Sequence, residues 1–267
     1  MRNLYAMKRI VPWLAAAPLL LAVAAVAAVP ASATQTTAPT IPAASPAPIG
    51  VAAPVTSGGG LDVTKATSVA PVRDGRAGAS ITIYAEPNTS KPIAKVTNLK
   101  NVYGRAVFTV IEDQEAWLKV SAPIRQNGGV GYIQASLVTR FLHDWKITVD
   151  ISDRLLTVTK GDEVVLTERV AVGTKKTPTP LGRFYTVDLV RPKKAGGPYG
   201  AFAYGISGFS AVYQKFGAGD GRIGIHGTND PAKLGTAVSN GCIRVSNAGI
   251  TKMKKLLPLG VPVEIVE

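Results

Sequence analysis

Thiols and imidazoles are scarce in this sequence. Among 267 residues there is one cysteine, Cys242, and there are two histidines, His143 and His226. A single cysteine excludes an internal disulfide. One cysteine and two histidines supply too few soft ligands for a closed zinc site, and the carboxylate spacing gives no support for one. No metal and no cofactor is therefore expected. Gly-rich phosphate loops, internal repeats and zinc-finger or RRM signatures are missing as well. Acidic side chains are few, 17 against 30 Lys and Arg, which gives a formal charge of +13. Such an excess favours anionic polymers, whether nucleic acid or an acidic cell wall. Here the cations are scattered rather than clustered, so the excess reads as solubility and no nucleic-acid partner is expected.

The N-terminus carries an address. Arg2, Lys8 and Arg9 precede an apolar run from Ile10 to Val29, and Ala31-Ser32-Ala33 follows. This is the order of a secretory signal, with cleavage expected after Ala33. Pro12 and Pro18 weaken the run as a spanning helix. Its length still allows an uncleaved anchor, the one way in which a membrane would be involved. Either way the body is expected outside the cell membrane, in the wall, in a periplasm-like space, or secreted. A lone thiol in such an oxidising place is a liability unless it is buried or used. Residues 34–60 hold no charged side chain, five prolines and a terminal Gly-Gly-Gly. They read as a flexible tether, and the linker is expected to extend over 34–75.

Beyond the tether the hydrophobic period is two. "ASITIYAEP", "GRAVFTVIED", "AWLKVSAPI" and "GVGYIQASLV" alternate between turn residues and predict a small all-β domain over 76–141. "WLKVSAPIRQNGGVGYIQASLV" resembles the closing half of a bacterial SH3-like barrel. From Trp145 the chain starts afresh. "KITVDI" places Ile147, Val149 and Ile151 on one face, and "LLTVTKGDEVVLTERVAVG" predicts a hairpin around Gly161. "GRFYTVDLV" and "VPVEIV" predict further strands. Ser246 or Asn247 can cap one short helix with Ile250, Met253 and Leu257 on a shared face. Residues 192–210, "PKKAGGPYGAFAYGISGFS", predict a mobile loop whose aromatics, Tyr199 and Tyr204, could cover a substrate.

The densest chemistry lies in "IGIHGTNDPAKLGTAVSNGCIRVSN", Ile223 to Asn247. A thiol needs its thiolate to act, and an imidazole can take the proton. His226 ends an apolar strand-like run, and the loop-like residues after it can turn Cys242 back towards it. His143 lies between the two domains and reads as a boundary residue. Gly241 allows close backbone approach, so the N–H groups of Gly241 and Cys242 could form an oxyanion hole. Arg244 has two readings, a cation for a substrate carboxylate or half of a structural salt bridge. Ser239 reads as a loop-fixing hydrogen bonder rather than a nucleophile.

This stretch resembles the signature of the L,D-transpeptidases of the YkuD type: His-Gly-Thr, a spacer with Pro and Leu-Gly, then Ser/Thr-His-Gly-Cys, a hydrophobic residue and Arg. "VGTKKTPTPLGRFYT" is similar to the family's Thr-Pro-Thr-Pro-x-Gly segment. The likeness covers 145–267. It implies a β-rich, sandwich-like catalytic domain with one short helix, so the whole chain is expected to be mainly all-β. It implies a peptidoglycan enzyme that makes 3→3 cross-links through a cysteine thioester, releasing D-Ala from a donor tetrapeptide stem. Cys242 would be the nucleophile and His226 the base and acid, with the Gly227 carbonyl orienting the imidazole and the Gly241 N–H serving the oxyanion. Arg244, Asn240, Ser239, Tyr204 and Tyr199 would meet the stem. Carbapenem-type β-lactams would acylate the thiol. The family has His where this chain has Asn240; with His226 as base, the reaction type survives. Two alternatives remain, an L,D-carboxypeptidase acting on the same stems and a non-catalytic wall-binding protein.

Overall fold

The computed structural model describes residues 67–71, 79–97, 100–101, 104–125, 127–194, 196–216 and 219–267. The expected signal, 1–33, and the tether up to residue 66 lie outside the described residues.

The first group of strands comprises β1 (Thr67–Pro71), β2 (Ile81–Tyr84), β3 (Pro92–Val96), β6 (Val107–Gln114), β7 (Trp117–Ser121), β8 (Val130–Gln134) and β9 (Phe141–His143), with a separate two-residue pair, β4 (Lys100–Asn101) and β5 (Gly104–Arg105). The seven make one sheet in the order β3-β2-β8-β7-β6-β1-β9. Alternation explains its core: Ile81, Ile83, Phe108, Leu118, Val120 and Ile133 all point to one side and are buried together. A single 3₁₀ turn, Ala135–Leu137, closes it. The expected linker, 34–75, ends too late. Its residues Thr67–Pro71 form a strand paired with both β6 and β9. "TSVAP" is β-compatible, and its proline sits at the strand end, where a missing N–H is tolerated.

The second group is β10 (Trp145–Asp150), β11 (Leu155–Lys160), β12 (Glu163–Arg169), β14 (Gly182–Val190), β15 (Ala203–Phe209), β16 (Arg222–His226), β18 (Ile243–Arg244) and β19 (Pro262–Val266), with α1 over Asn247–Leu256. The sheet order is β12-β11-β10-β19-β14-β15-β16-β18. A small parallel pair, β13 (Val172–Gly173) with β17 (Ala237–Ser239), stands beside it. The last strand is inserted centrally, parallel to β10 and antiparallel to β14. Ile147, Val149, Leu156, Val158, Ile223, Ile225, Ile243 and Val263 fill the core, and α1 adds Ile250 and Met253. Ser246 caps α1, its hydroxyl accepting the Gly249 N–H. The protein is mainly β, with this one α-helix among the described residues.

The predicted loop over 192–210 is shorter than expected, because Ala203–Phe209 is a strand. Its glycines do not break the ladder. Gly205 leaves room for the Asp188 carboxylate and Gly208 for the Phe184 ring, at positions where a β-carbon would collide.

Candidate active site

Strand pairing builds the site. β16 and β18 run parallel, with Ile225 opposite Ile243 and His226 opposite Arg244. The two isoleucines point into the core and are fully buried. The period of two therefore sends His226, at the end of β16, and Cys242, the residue just before β18, to the opposite face. Both line one cavity of about 690 Å³. Its walls come from both sheets: Lys95, Val96 and Phe108 from the first, and Asp188, Tyr199, Arg222 and Gly224 from the second. His143 is not among the lining residues; its Nδ1 accepts the Trp145 N–H at 3.2 Å.

His226 is 4% exposed. Its Nδ1 lies 2.6 Å from the Gly227 carbonyl, so Nδ1–H donates and Nε2 remains the basic nitrogen. Burial pushes the imidazole down from 6.5 to about 4; the Gly227 bond opposes this and the Arg244 charge adds to it. The Tyr199 ring stands edge-on, 4.9 Å from the imidazole. The loop after His226 is held by Asn247, the first residue of α1, which the sequence offered only as a helix-cap candidate. Its Nδ2 donates to the Thr228 carbonyl at 2.8 Å and its Oδ1 accepts the Ala201 N–H at 3.0 Å.

Cys242 is half-buried. Burial pushes its thiol up, against a hydrogen bond from the Gly224 backbone and the Arg244 charge. Burial thus favours the neutral form of both the thiol and the imidazole. The segment before the thiol is tied down from outside. Thr177 Oγ1 donates to the Ser239 carbonyl at 3.0 Å, and Thr179 Oγ1 donates to the Gly241 carbonyl at 2.9 Å while accepting the Gly173 N–H at 2.9 Å. These threonines belong to the Thr-Pro-Thr-Pro motif, but their task is invisible without the fold.

Several expected site residues make their contacts within the protein rather than with open space, though Tyr199 and Tyr204 line the cavity. The Gly241 N–H, expected to stabilise an oxyanion, donates to Ser239 Oγ at 3.0 Å. Gly241 sits at φ 110°, which a side chain tolerates poorly. Ser239 is buried and donates in turn to the Cys242 carbonyl at 2.6 Å, so it braces the loop rather than meeting substrate. Tyr204, expected to touch substrate, is fully buried. Its hydroxyl lies 3.4 Å from the carbonyls of Met253 and Leu257, where the alternation of β15 turns it into the core. Asn240 and Tyr199 are exposed. Arg244 is bonded through its backbone to Ala171, and its buried Nε has no hydrogen-bond partner among the described residues.

Residues 144–265 match the family model of the YkuD L,D-transpeptidase catalytic domain. The Bacillus subtilis protein YkuD is 37% identical over 121 residues, 45% of this chain and 65% of that protein. Residues 144–265 are an L,D-transpeptidase catalytic domain. YkuD of Bacillus licheniformis is 36% identical over 121 residues, with the same coverage of 45% and 65%. The chain thus spans a little less than two thirds of the length of these relatives. Among solved structures, L,D-transpeptidase 3 from Mycobacterium tuberculosis, in complex with a faropenem-derived adduct, is 16% identical over 57% of this chain and 90% of that one. Its TM-score is 0.40, a likeness too loose to place any residue. In this transpeptidase domain Cys242 and His226 occupy one cavity, and the cysteine lies in the motif segment that Thr177 and Thr179 hold.

Proposed function

We propose that the protein is an exported peptidoglycan L,D-transpeptidase that forms 3→3 cross-links through a Cys242 thioester. The observation that carries this reading is that His226, at the end of β16, and Cys242, just before the paired β18, line one cavity, with the imidazole tautomer set by the Gly227 carbonyl. His226 Nε2 takes the thiol proton as Sγ attacks the carbonyl of the third residue of a donor stem. The Cys242 N–H, rather than that of Gly241, faces the developing oxyanion. The tetrahedral adduct collapses, the peptide C–N bond breaks, and His226 returns the proton to the D-Ala amine as it leaves. The side-chain amine of a second stem then attacks the thioester, loses its proton to His226, and releases the thiol. Arg244 places a positive charge beside both groups and is suited to the stem's carboxylates. The same thiol and base would open the strained amide of a carbapenem-type β-lactam and retain it as an acyl adduct. The first sheet serves as an SH3-like module that walls the cavity.

The test uses the chain from Thr34 onward with disaccharide-tetrapeptide, read by mass spectrometry beside Cys242→Ala. Loss of D-Ala with a dimer joined through the third residues, absent in the variant, is expected. Loss of D-Ala without dimer would assign the carboxypeptidase reaction instead. No product dependent on Cys242 would sink the enzymatic reading in favour of wall binding.

A further inference from the structure

The row of residues that ends at Cys242 begins with a carboxylate that the chemistry above does not use. Asp188 on β14 pairs with Gly205 on β15, and Gly205 pairs with Gly224 on β16. Ile225 pairs with Ile243, which sets Gly224 level with Cys242, and the Gly224 backbone hydrogen-bonds the thiol. Directly paired residues share a face. Asp188, Gly205 and Gly224 on three strands and Cys242 just before β18 therefore form one row, and all four line the cavity. The two central members lack side chains: the Asp188 carboxylate and the Arg222 side chain lie over Gly205, and the row runs on past Gly224 to the thiol.

The Asp188 side chain folds inward over Gly205, where Oδ1 accepts the Gly205 N–H at 3.0 Å. The neighbouring cation is engaged elsewhere. Arg222 pairs with Asp220 at 3.1 Å, donates to the Ile206 carbonyl at 3.4 Å and stacks on the Phe209 ring at 4.7 Å. Among the described residues no side chain forms an ion pair with Asp188. Burial raises its carboxyl above the ordinary value, Arg222 and the Gly205 N–H oppose this, and Asp220 adds to it. A half-buried carboxylate that lines the cavity and has no ion pair among the described residues can take a cation from a ligand.

We infer that Asp188 is a specificity-determining residue that binds the side-chain ammonium of the donor stem's third residue while that residue's carbonyl lies at Cys242. This rests on the proposed function and names the part of the substrate that the row recognises. The lengths agree. Two strand spacings, about 10 Å, separate the Gly205 column from the Cys242 column. A diamino-acid side chain runs roughly 7.5 Å from its carbonyl carbon to its amine, and a charge-assisted hydrogen bond adds about 2.8 Å.

The test measures binding by calorimetry to the chain from Thr34 onward carrying Cys242→Ala, so that nothing is acylated. The probes are a tetrapeptide stem with a diamino acid at position three and the same peptide with that side-chain amine acetylated. Acetylation should weaken binding about tenfold or more with Asp188 intact, and adding Asp188→Asn should erase the difference. Asparagine keeps an acceptor for the Gly205 N–H, and the comparison of the two peptides on the Asp188 protein needs no variant at that position. Equal binding of both peptides, binding of neither, or an equal loss for both in the Asp188→Asn protein would overturn the assignment. Release of D-Ala by the unmutated enzyme, measured separately, keeps the two readings apart. Turnover without amine preference sinks only this inference, and amine preference without turnover sinks only the proposed reaction.

Discussion

His226 and Cys242 are a pair whose ionisation is set by where the sheet puts them. Both are pushed towards their neutral forms by burial, so in the proposed reaction proton transfer and attack belong to one event. The pH dependence follows. In the proposed reaction His226 acts as base only while Nε2 is unprotonated, and burial holds its folded value at about 4 rather than 6.5. Acylation of Cys242 by a carbapenem, followed by intact mass, should hold through pH 6.5 and fall only as pH approaches 4. A fall centred on 6.5 would mean an exposed imidazole. The same depression links to stability. The unfolded chain takes the proton near 6.5 and the folded one near 4, so stability is full above 6.5 and declines as pH drops between these values. Denaturation midpoints over that window should fall, and less so in His226→Gln. Thr179 offers a second test at this scale. Its hydroxyl holds Gly173 and Gly241 together. Thr179→Val should cost about 1–3 kcal/mol in denaturant titration and slow acylation, and Thr179→Ser should restore both.

At the level of elements, β16 and β18 explain why the signature spacing works. The long excursion between His226 and Cys242 matters less than its return, which lays Ile243 beside Ile225. Ile243→Ala would leave a cavity in the core next to Cys242. A loss of about 2–5 kcal/mol is expected, with slower acylation even where the protein stays folded. Gly241 turns the chain into β18 at φ 110°, where an added β-carbon would lie 3.1 Å from Ile223 Cδ1. Gly241→Ala should therefore destabilise by roughly 1–3 kcal/mol, readable as a lower melting temperature. Alternation in "KITVDI", "LLTVTK" and "VPVEIV" sufficed to locate strands, because period-two burial is a local property. The strand over 203–209 was hidden, because Gly205 and Gly208 look like loop residues until Asp188 and Phe184 are seen filling the space beside them.

Across the whole molecule, the cavity belongs to both sheets. Asn127, in the turn after β7, bonds the Phe209 backbone in both directions, Nδ2 to the carbonyl at 2.9 Å and Oδ1 from the N–H at 2.8 Å. Arg125 donates to the Gln214 carbonyl at 2.9 Å and to the Asp220 carbonyl. Asn127→Ala removes two bonds that hold the first sheet against the second. It should cost about 1–3 kcal/mol and raise KM for the stem more than it lowers kcat, since the wall bearing Phe108 moves and the thiol does not.

What the sequence by itself determined was the local and the chemical. The β periodicity, one short helix starting near Ser246 or Asn247 and the rarity that singled out one thiol are readable from neighbours in the chain, because side-chain period and residue chemistry are short-range properties. The register was decided only by the tertiary structure. That Asp188, 54 residues before Cys242 in the numbering, ends the same row, that Ser239 takes the Gly241 N–H, and that Tyr204 turns inward all depend on which strand lies beside which. Pairing between distant strands is fixed by packing of the whole core, so no window of the sequence contains it.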